Sequence, residues 1–394
     1  MNSSEHTHRS GMSRRDLLRW TAVAGAGTLA LPVLDALGGS APDALAAGGG
    51  IAVKSLKDLA PFKPSSVVGS VPNLPKRVAW ANSANAQFFL QLGDSIKAAA
   101  SDRGLSYVTA IANNDSAKNI SQMNSFLQVG ICAVCIQPID AAAQALVMQR
   151  AIDQGVAVLS LVTPPSTVQV VADQYQVGYA QGAAAAKWIT RNRGGKATVL
   201  IFNLNTISVL IARDQGCKDG LKLAGPGVKI IDIQSAQETE QGAAQTTSTL
   251  LQAHPEISVI LGTAGDTYSL GALAALRSAR KDTSRMYLSG INGDDGALAE
   301  VAKGGPYKAS FAFAYNLMGY AWGQYAADWV EGRTVPQVMV FRPIQLDSKS
   351  AIDTFRSAMS LSSIKQSFKS TSTYMQLLGN ISYGTKGRYI TTSP

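Results

Sequence analysis

From Lys76 onward the chain alternates short apolar runs with helix-length amphipathic segments, and this alternation constrains the fold more than any other feature. Arg77–Ala81, Tyr107–Ala112, Ile131–Gln137 and Val156–Val162 read as strands. Between them Phe88, Phe89, Leu92, Ile96 and Ala99 recur at helical spacing, as do Ile120, Met123, Phe126 and Leu127; Ala141–Gln154 is a third helix, ended by Gly155. Strands separated by helices indicate βαβ units and a parallel sheet. The pattern breaks at Pro164-Pro165 and restarts with a helix over Gln174–Arg193. Strands at Ala197–Asn203, Val228–Gln234, Ile257–Gly262, Arg285–Ile291 and Lys308–Tyr315 then alternate with helices. A helix over Leu317–Glu331 closes the alternation, and Ala351–Phe368 beyond it reads as an amphipathic helix. The fold class is therefore α/β, with two doubly wound parallel-sheet lobes. Ligands of such sheets bind beyond the carboxyl ends of the strands, so the cleft between two facing sheets is the natural site.

A length of 394 residues agrees with two lobes, being too long for one ordinary core. The formal charge is +9. Residues 1–46 contribute nothing to it, because Arg9, Arg14, Arg15 and Arg19 cancel Glu5, Asp16, Asp35 and Asp43. The rest of the chain carries no dense Lys/Arg run; Arg191, Arg193 and Lys196 flank Gly194-Gly195 in what reads as an exposed turn. The basic charge is read as a solvated surface, with no nucleic acid partner.

The first 46 residues read as an address rather than as structure. Arg14-Arg15 precede a weakly apolar Gly/Ala-rich stretch from Thr21 to Leu37, the pattern of a twin-arginine export signal. Ala44-Leu45-Ala46 offers small residues for cleavage before Ala47. Pro32 and Asp35 interrupt the stretch short of the roughly 20 residues a membrane span needs. Residues 47–75, rich in Gly, Pro and Ser, read as a linker with one helical turn. Cys132, Cys135 and Cys217 are an odd number. Cys132 and Cys135 fall in one strand, where residues three apart lie about 10 Å from each other. A disulfide needs Cα atoms within roughly 7 Å. All three therefore read as buried hydrophobes.

Enzymatic chemistry finds little to work with. His6 and His8 fall in the export segment, which leaves His254 alone: too little, with three buried cysteines, for an ordinary zinc site, and a triad built on it lacks a G-x-S-x-G elbow to present its serine. No phosphate-loop motif occurs, and the pair Asp294-Asp295 is of a kind common on loops. The expectation is a binding protein without metal or cofactor, not an enzyme.

The residues then carry a family likeness. Asn85-Ala86-Gln87-Phe88-Phe89, Ile136-Gln137-Pro138-Ile139-Asp140, Val171-Ala172-Asp173-Gln174, Leu251 to Glu256, Leu270 to Leu276 and Ser289-Gly290-Ile291-Asn292-Gly293 recur in an order that resembles the ribose-binding branch of periplasmic binding proteins. The resemblance covers residues 76 to about 345. It implies a hinge with three crossings, closure around a small-molecule ligand, and docking of a monomer on an ABC permease outside the cytoplasm. A sensory role, reporting ligand to a membrane receptor, would use the same sequence. The implied lobes are residues 76–172 with 313–340, and 173–312 with 341–350; residues 351–394 lie beyond the resemblance as an extension.

The pocket implied by the resemblance departs from the family. Phe88 and Phe89 match an aromatic pair of the amino-terminal wall, although both also fit the core face of their helix. Where relatives place an Asp-Arg pair, this chain has Val162 and Thr163. The second-lobe arginine falls at Ile211, with Arg213 two residues on. The usual Asn falls near Gly265 beside Asp266, an Asp has become Asn292, a hinge Gln has become Phe313, and Glu238 stands at an often aromatic position. Tyr315 is expected on the same strand face as Phe313. The expected ligand contacts are Asn82, Phe88, Phe89, Thr163, Glu238, Asp266, Asn292 and Phe313. Losing Asp and Arg partners removes charge-assisted hydrogen bonds to ligand hydroxyls, so the expected ligand is less hydroxylated than a pyranose: a short polyol, a deoxy sugar or a small aromatic or alicyclic compound.

Overall fold

A computed structural model describes residues 50–66, 69–205, 208–234, 239–368 and 374–392. The export segment and Glu238 lie outside the described residues.

The first sheet contains β1 (Arg77–Asn82), β2 (Ser106–Ile111), β3 (Ala133–Ile136), β4 (Ala157–Leu161) and β5 (Val168–Val171). Helices α1 (Gln87–Asp102), α2 (Ser116–Val129) and α3 (Ala141–Asp153) connect its first four strands. The second sheet contains β6 (Ala197–Asn203), β7 (Val228–Gln234), β8 (Ile257–Gly262), β9 (Tyr287–Asn292) and β10 (Tyr307–Ala312). Its helices are α4 (Gln174–Arg193), α5 (Ser208–Leu221), α6 (Glu240–Ala253), α7 (Asp266–Ser278) and α8 (Asp295–Ala302). Then come α9 (Tyr315–Val330), β11 (Val338–Phe341), β12 (Ile344–Leu346), α10 (Lys349–Ala358), α11 (Leu361–Ser367) and β13 (Met375–Leu378).

Strand order is β13-β11-β5-β4-β3-β1-β2 in the first sheet and β12-β10-β9-β8-β6-β7 in the second. All pairings are parallel except β11 with β13 and β10 with β12. Strand composition follows position. Central β3 and β6 are buried at every residue, as expected for strands covered by helices on both faces. Edge strand β7 alternates polar and apolar, Val-Lys-Ile-Ile-Asp-Ile-Gln, and buries none of its residues fully. Helix starts are fixed by acidic caps: Asp115, Asp140 and Asp173 each accept a backbone N–H from three residues on. Cys132, Cys135 and Cys217 are free and buried.

The chain passes between lobes at Val171–Gln174, Ala312–Tyr315 and Phe341–Ile344, giving the three crossings. The tail makes a fourth. Helix α10 buries Ile352 in the core of the second lobe, whereas α11 buries Ile364 in that of the first, and only Met359 and Ser360 separate them. Strand β13 then closes one edge of the first sheet. The amphipathic helix expected from Ala351 to Phe368 is thus two helices, broken at the crossing. Nor does the segment before Lys76 run free. Ile51 N–H bonds to Tyr389 C=O at 2.8 Å, and Val53 is buried with Val171, Val338, Leu378 and Ile390.

Candidate functional site

The amino-terminal wall of the cleft grows out of the first core. Asn82 ends β1, is buried, and accepts the Ala84 N–H on Oδ1 at 3.1 Å, which shapes the turn into α1. The two phenylalanines that follow divide their roles. Phe89 is buried against Trp80 with ring centroids 6.1 Å apart, so it belongs to the core. Half-buried Phe88 lies 3.9 Å from Phe89 and 5.0 Å from Tyr315, centroid to centroid, and extends that core into the cleft. Thr163 is half-buried in the turn after β4. Beside it Val162 holds φ at 64°, a conformation that a β-branched residue adopts only when its surroundings impose it.

The expected strand through Tyr315 stops at Ala312. Phe313 is buried beyond its end, 5.9 Å from the Tyr315 ring, and Tyr315 opens α9 rather than sharing a strand face with it. Its hydroxyl donates to Asn292 Oδ1 at 3.1 Å, joining the lobes. Burial pushes the phenol well above its ordinary range; the Arg213 charge opposes this, and Asp294 and Asp266 add to it.

Ile211, where the resemblance puts the second-lobe arginine, and Arg213 two residues on differ sharply in burial. Ile211 is 48% exposed, whereas Arg213 is 7% exposed. On α5, Arg213 shares a face with Cys217 and Leu221, spaced four residues apart and both buried, and Ile211 lies on another. Gly178 makes that face accessible: a Cβ there would sit 1.8 Å from Arg213 C=O, so only glycine lets α4 approach. Arg213 Nε and Nη2 donate to Gln174 Oε1 at 2.9 and 2.6 Å, and Nη1 donates to Thr263 C=O at 3.1 Å. Burial pulls its pKa down to about 10. Among the described residues no carboxylate lies within ion-pair distance of it.

Asp266 does not offer itself to a ligand, contrary to expectation. It is fully buried and accepts from Tyr307 Oη at 2.7 Å, Ser310 Oγ at 2.7 Å, and the Gly293 and Asp294 N–H groups at 2.9 Å each. Its oxygens are occupied in shaping the turn after β9. That turn presents Asn292, whose φ of 117° is unusual for a residue other than glycine. Gly265 makes room for it, since a Cβ there would stand 3.2 Å from Asn292 Nδ2. Half-buried Asp294 sits at the start of α8 without making a side-chain cap bond. Burial, then the Asp266 charge, pushes its pKa up. Burial also raises Asp266, but the donors around that carboxylate oppose it.

The lobes also meet at the cleft mouth. Gln87 Nε2 donates to Asp295 Oδ2 at 2.8 Å, and Asp295 N–H donates to Gln87 Oε1 at 3.2 Å. From the tail, Arg356 reaches the other oxygen of Asp295 at 2.8 Å. Asn82, Thr163, Asn292 and Phe313 thus lie at the carboxyl ends of strands or just beyond them, Phe88 lies in the first turn of α1, and Tyr315 links Phe88, Phe313 and Asn292. Phe89 and Asp266 support this arrangement from behind. Among the described residues no group of three or more His, Cys, Asp or Glu side chains could hold a metal ion. Nor is any helix there long and apolar enough to cross a membrane.

Comparison with known proteins agrees with this architecture. The family described as periplasmic binding protein domain matches residues 78–334. The ribose import binding protein of Bacillus subtilis is 27% identical over 266 residues, covering 67% of this chain and 84% of that one. The Caulobacter myo-inositol binding protein, solved with myo-inositol, aligns with a TM-score of 0.61 at 25% identity over 73% of this chain and 98% of that one. A Mycobacterium smegmatis protein in complex with β-D-fucofuranose aligns with a TM-score of 0.64 at 21% identity, over 76% and 98% of the two chains. With two doubly wound sheets, a three-crossing hinge and a cleft at the strand ends, the chain belongs to the periplasmic binding protein domain family.

Proposed function

We propose that this chain is an exported solute-binding protein of an ABC importer, which captures a sugar, polyol or similar small molecule between its lobes. The observation that carries the reading is the bipartite cleft. Phe88 and Tyr315 on one side meet Asn292 on the other, and the lobes are tied across it by Tyr315–Asn292 and Gln87–Asp295. The curated relative is named for ribose import, and solved neighbours hold myo-inositol and a fucofuranose. A ligand contacting both walls favours the closed arrangement by its differential affinity, and the closed lobes form the surface a permease recognises. Binding, not turnover, is the whole chemistry. Export by the twin-arginine route, through Arg14-Arg15, would deliver the monomer already folded.

The test is thermal melting of the purified protein with pentoses, hexoses, short polyols and small aromatic and alicyclic acids. A ligand at 100 times its dissociation constant stabilises by about 2.7 kcal/mol, a shift of several degrees. A response confined to one chemical class supports capture; a flat response across the panel removes the reason for reading the cleft as a solute site.

A further inference from the structure

The two cleft walls are not chemically equivalent, and the difference bears on the ligand. On the reading of the cleft as a solute site, we infer that the ligand bears a carboxylate, received by Arg213, on a small hydroxylated frame of the sugar-acid or cyclitol-acid class.

A guanidinium has five N–H donors. Arg213 directs three of them at Gln174 Oε1 and Thr263 C=O, both neutral acceptors, which leaves one N–H on each terminal nitrogen. Two such hydrogens suit the two oxygens of one carboxylate. Among the described residues no carboxylate pairs with Arg213, and Asp294 on the same wall is pushed toward its protonated form by burial and by the Asp266 charge. Asn292 is an amide, Val162 is apolar, and the Tyr315 hydroxyl lies close enough for its field to act on Arg213. A buried cation without a counter-charge is costly, and it is relieved when a bound anion supplies the charge. Two further acids of the second lobe are engaged elsewhere. Asp266 has its oxygens filled by its own lobe, and Asp295 bonds Gln87 and Arg356 at the mouth.

The remaining contacts describe the rest of the ligand. Asn292 and Asp294, on the turn after β9, offer an amide and a carboxyl group to hydroxyls. Phe88 offers a ring face and no hydrogen bond. A compact frame with an acid at one end, hydroxyls at the other and one C–H face matches all three. A neutral aldose would leave the Arg213 charge uncompensated.

Matched pairs decide the matter by calorimetry on the purified protein: D-ribose against D-ribonate, D-glucose against D-gluconate, and myo-inositol against quinate. The expected result is that at least one acid binds about 100-fold tighter than its neutral partner, the scale of a desolvated charge-assisted fork. Arg213→Lys, which keeps the charge and loses the fork, should reduce that preference to about tenfold, and Arg213→Gln should abolish it. Since Arg213→Gln can also disturb folding, the wild-type pairs stand by themselves as the test. Neutral members binding as tightly as their acids overturn this inference and leave the solute-binding reading intact. No binding by any of the six compounds overturns the inference and counts against that reading as well.

Discussion

The first lobe meets the cleft with hydrocarbon, and the second meets it with hydrogen-bonded charge. In the first, Phe88 rests on Phe89, Phe89 on Trp80, and Trp80 on Trp322 at 6.0 Å, so the ligand wall is the outermost layer of a packed core. In the second, Arg213 is held by Gln174 and the Thr263 carbonyl, and Asn292 is presented by a turn folded over Asp266. One wall is positioned by close packing, which is non-directional and tolerates shape-conserving change. The other is positioned by buried polar networks, in which losing one partner strands the rest. The lobes of one fold can therefore divide the work, one supplying shape and the other supplying discrimination.

The sharpest way to break this comparison is to remove the support behind each wall. Phe89→Ala opens a cavity against Trp80 and should lower stability by about 3–5 kcal/mol in urea unfolding. Asp266→Ala leaves the Tyr307 and Ser310 hydroxyls and the Asp294 N–H without the Asp266 carboxylate, while the Gly293 N–H keeps Ser310 Oγ at 3.0 Å, for a loss of about 3 kcal/mol in the same assay. If either variant kept full stability and only lost ligand, that residue would be a contact rather than a support.

The wall residues themselves should behave in the opposite sense. Phe88→Ala, at a half-buried position, should change stability by no more than about 1 kcal/mol. It should nonetheless weaken the compound that raises the melting temperature, as calorimetry would record. Asp294 sharpens the contrast through pH. Its folded carboxyl holds its proton more tightly than the unfolded one, so the folded state binds more protons between the ordinary carboxylate range and the raised one. Stability should therefore fall as pH rises through that window, and Asp294→Asn should flatten the profile.

The smallest effect belongs to the tail. Arg356 and Asp295 are 49% and 67% exposed, so Arg356→Ala should change stability by less than about 1 kcal/mol. The link of Met359 and Ser360 spans at most about 7 Å when extended. The lobes can then part on that side only if α10 lifts away, since it anchors to the second lobe chiefly through Ile352. Amide exchange without ligand should accordingly be faster in α10 than in α9, and a sugar or acid that closes the lobes should slow it. Equal protection of the two helices would show that the lobes separate without lifting α10.

Where the sequence was legible, one periodicity dominated. Gln174–Arg193, Ala197–Asn203, Val228–Gln234 and Ile257–Gly262 agree with the observed elements at both ends, because apolar runs bounded by Gly, Pro and Asp caps admit few alternatives. Strand β5 was missed, since four residues after Pro164-Pro165 carry too little pattern, and β13 lay outside any alternation. Arg213 was within reach. Its spacing to Cys217 and Leu221 marks the buried face of α5, and reading that face rather than aligning position by position would have chosen it over Ile211.

The alternation of the chain by itself determined two parallel sheets, their helical layers and a cleft at the strand ends, because those depend on local periodicity and on the handedness of βαβ connections. Only the tertiary structure decided that Phe89 is core while Phe88 is wall, that Asp266 serves its own lobe, and that the tail recrosses the hinge. Each of those depends on which groups from distant segments arrive beside it. A carboxylate surrounded by Tyr307, Ser310 and two backbone amides differs from a free one only in its neighbours, and those lie up to 44 residues away along the chain.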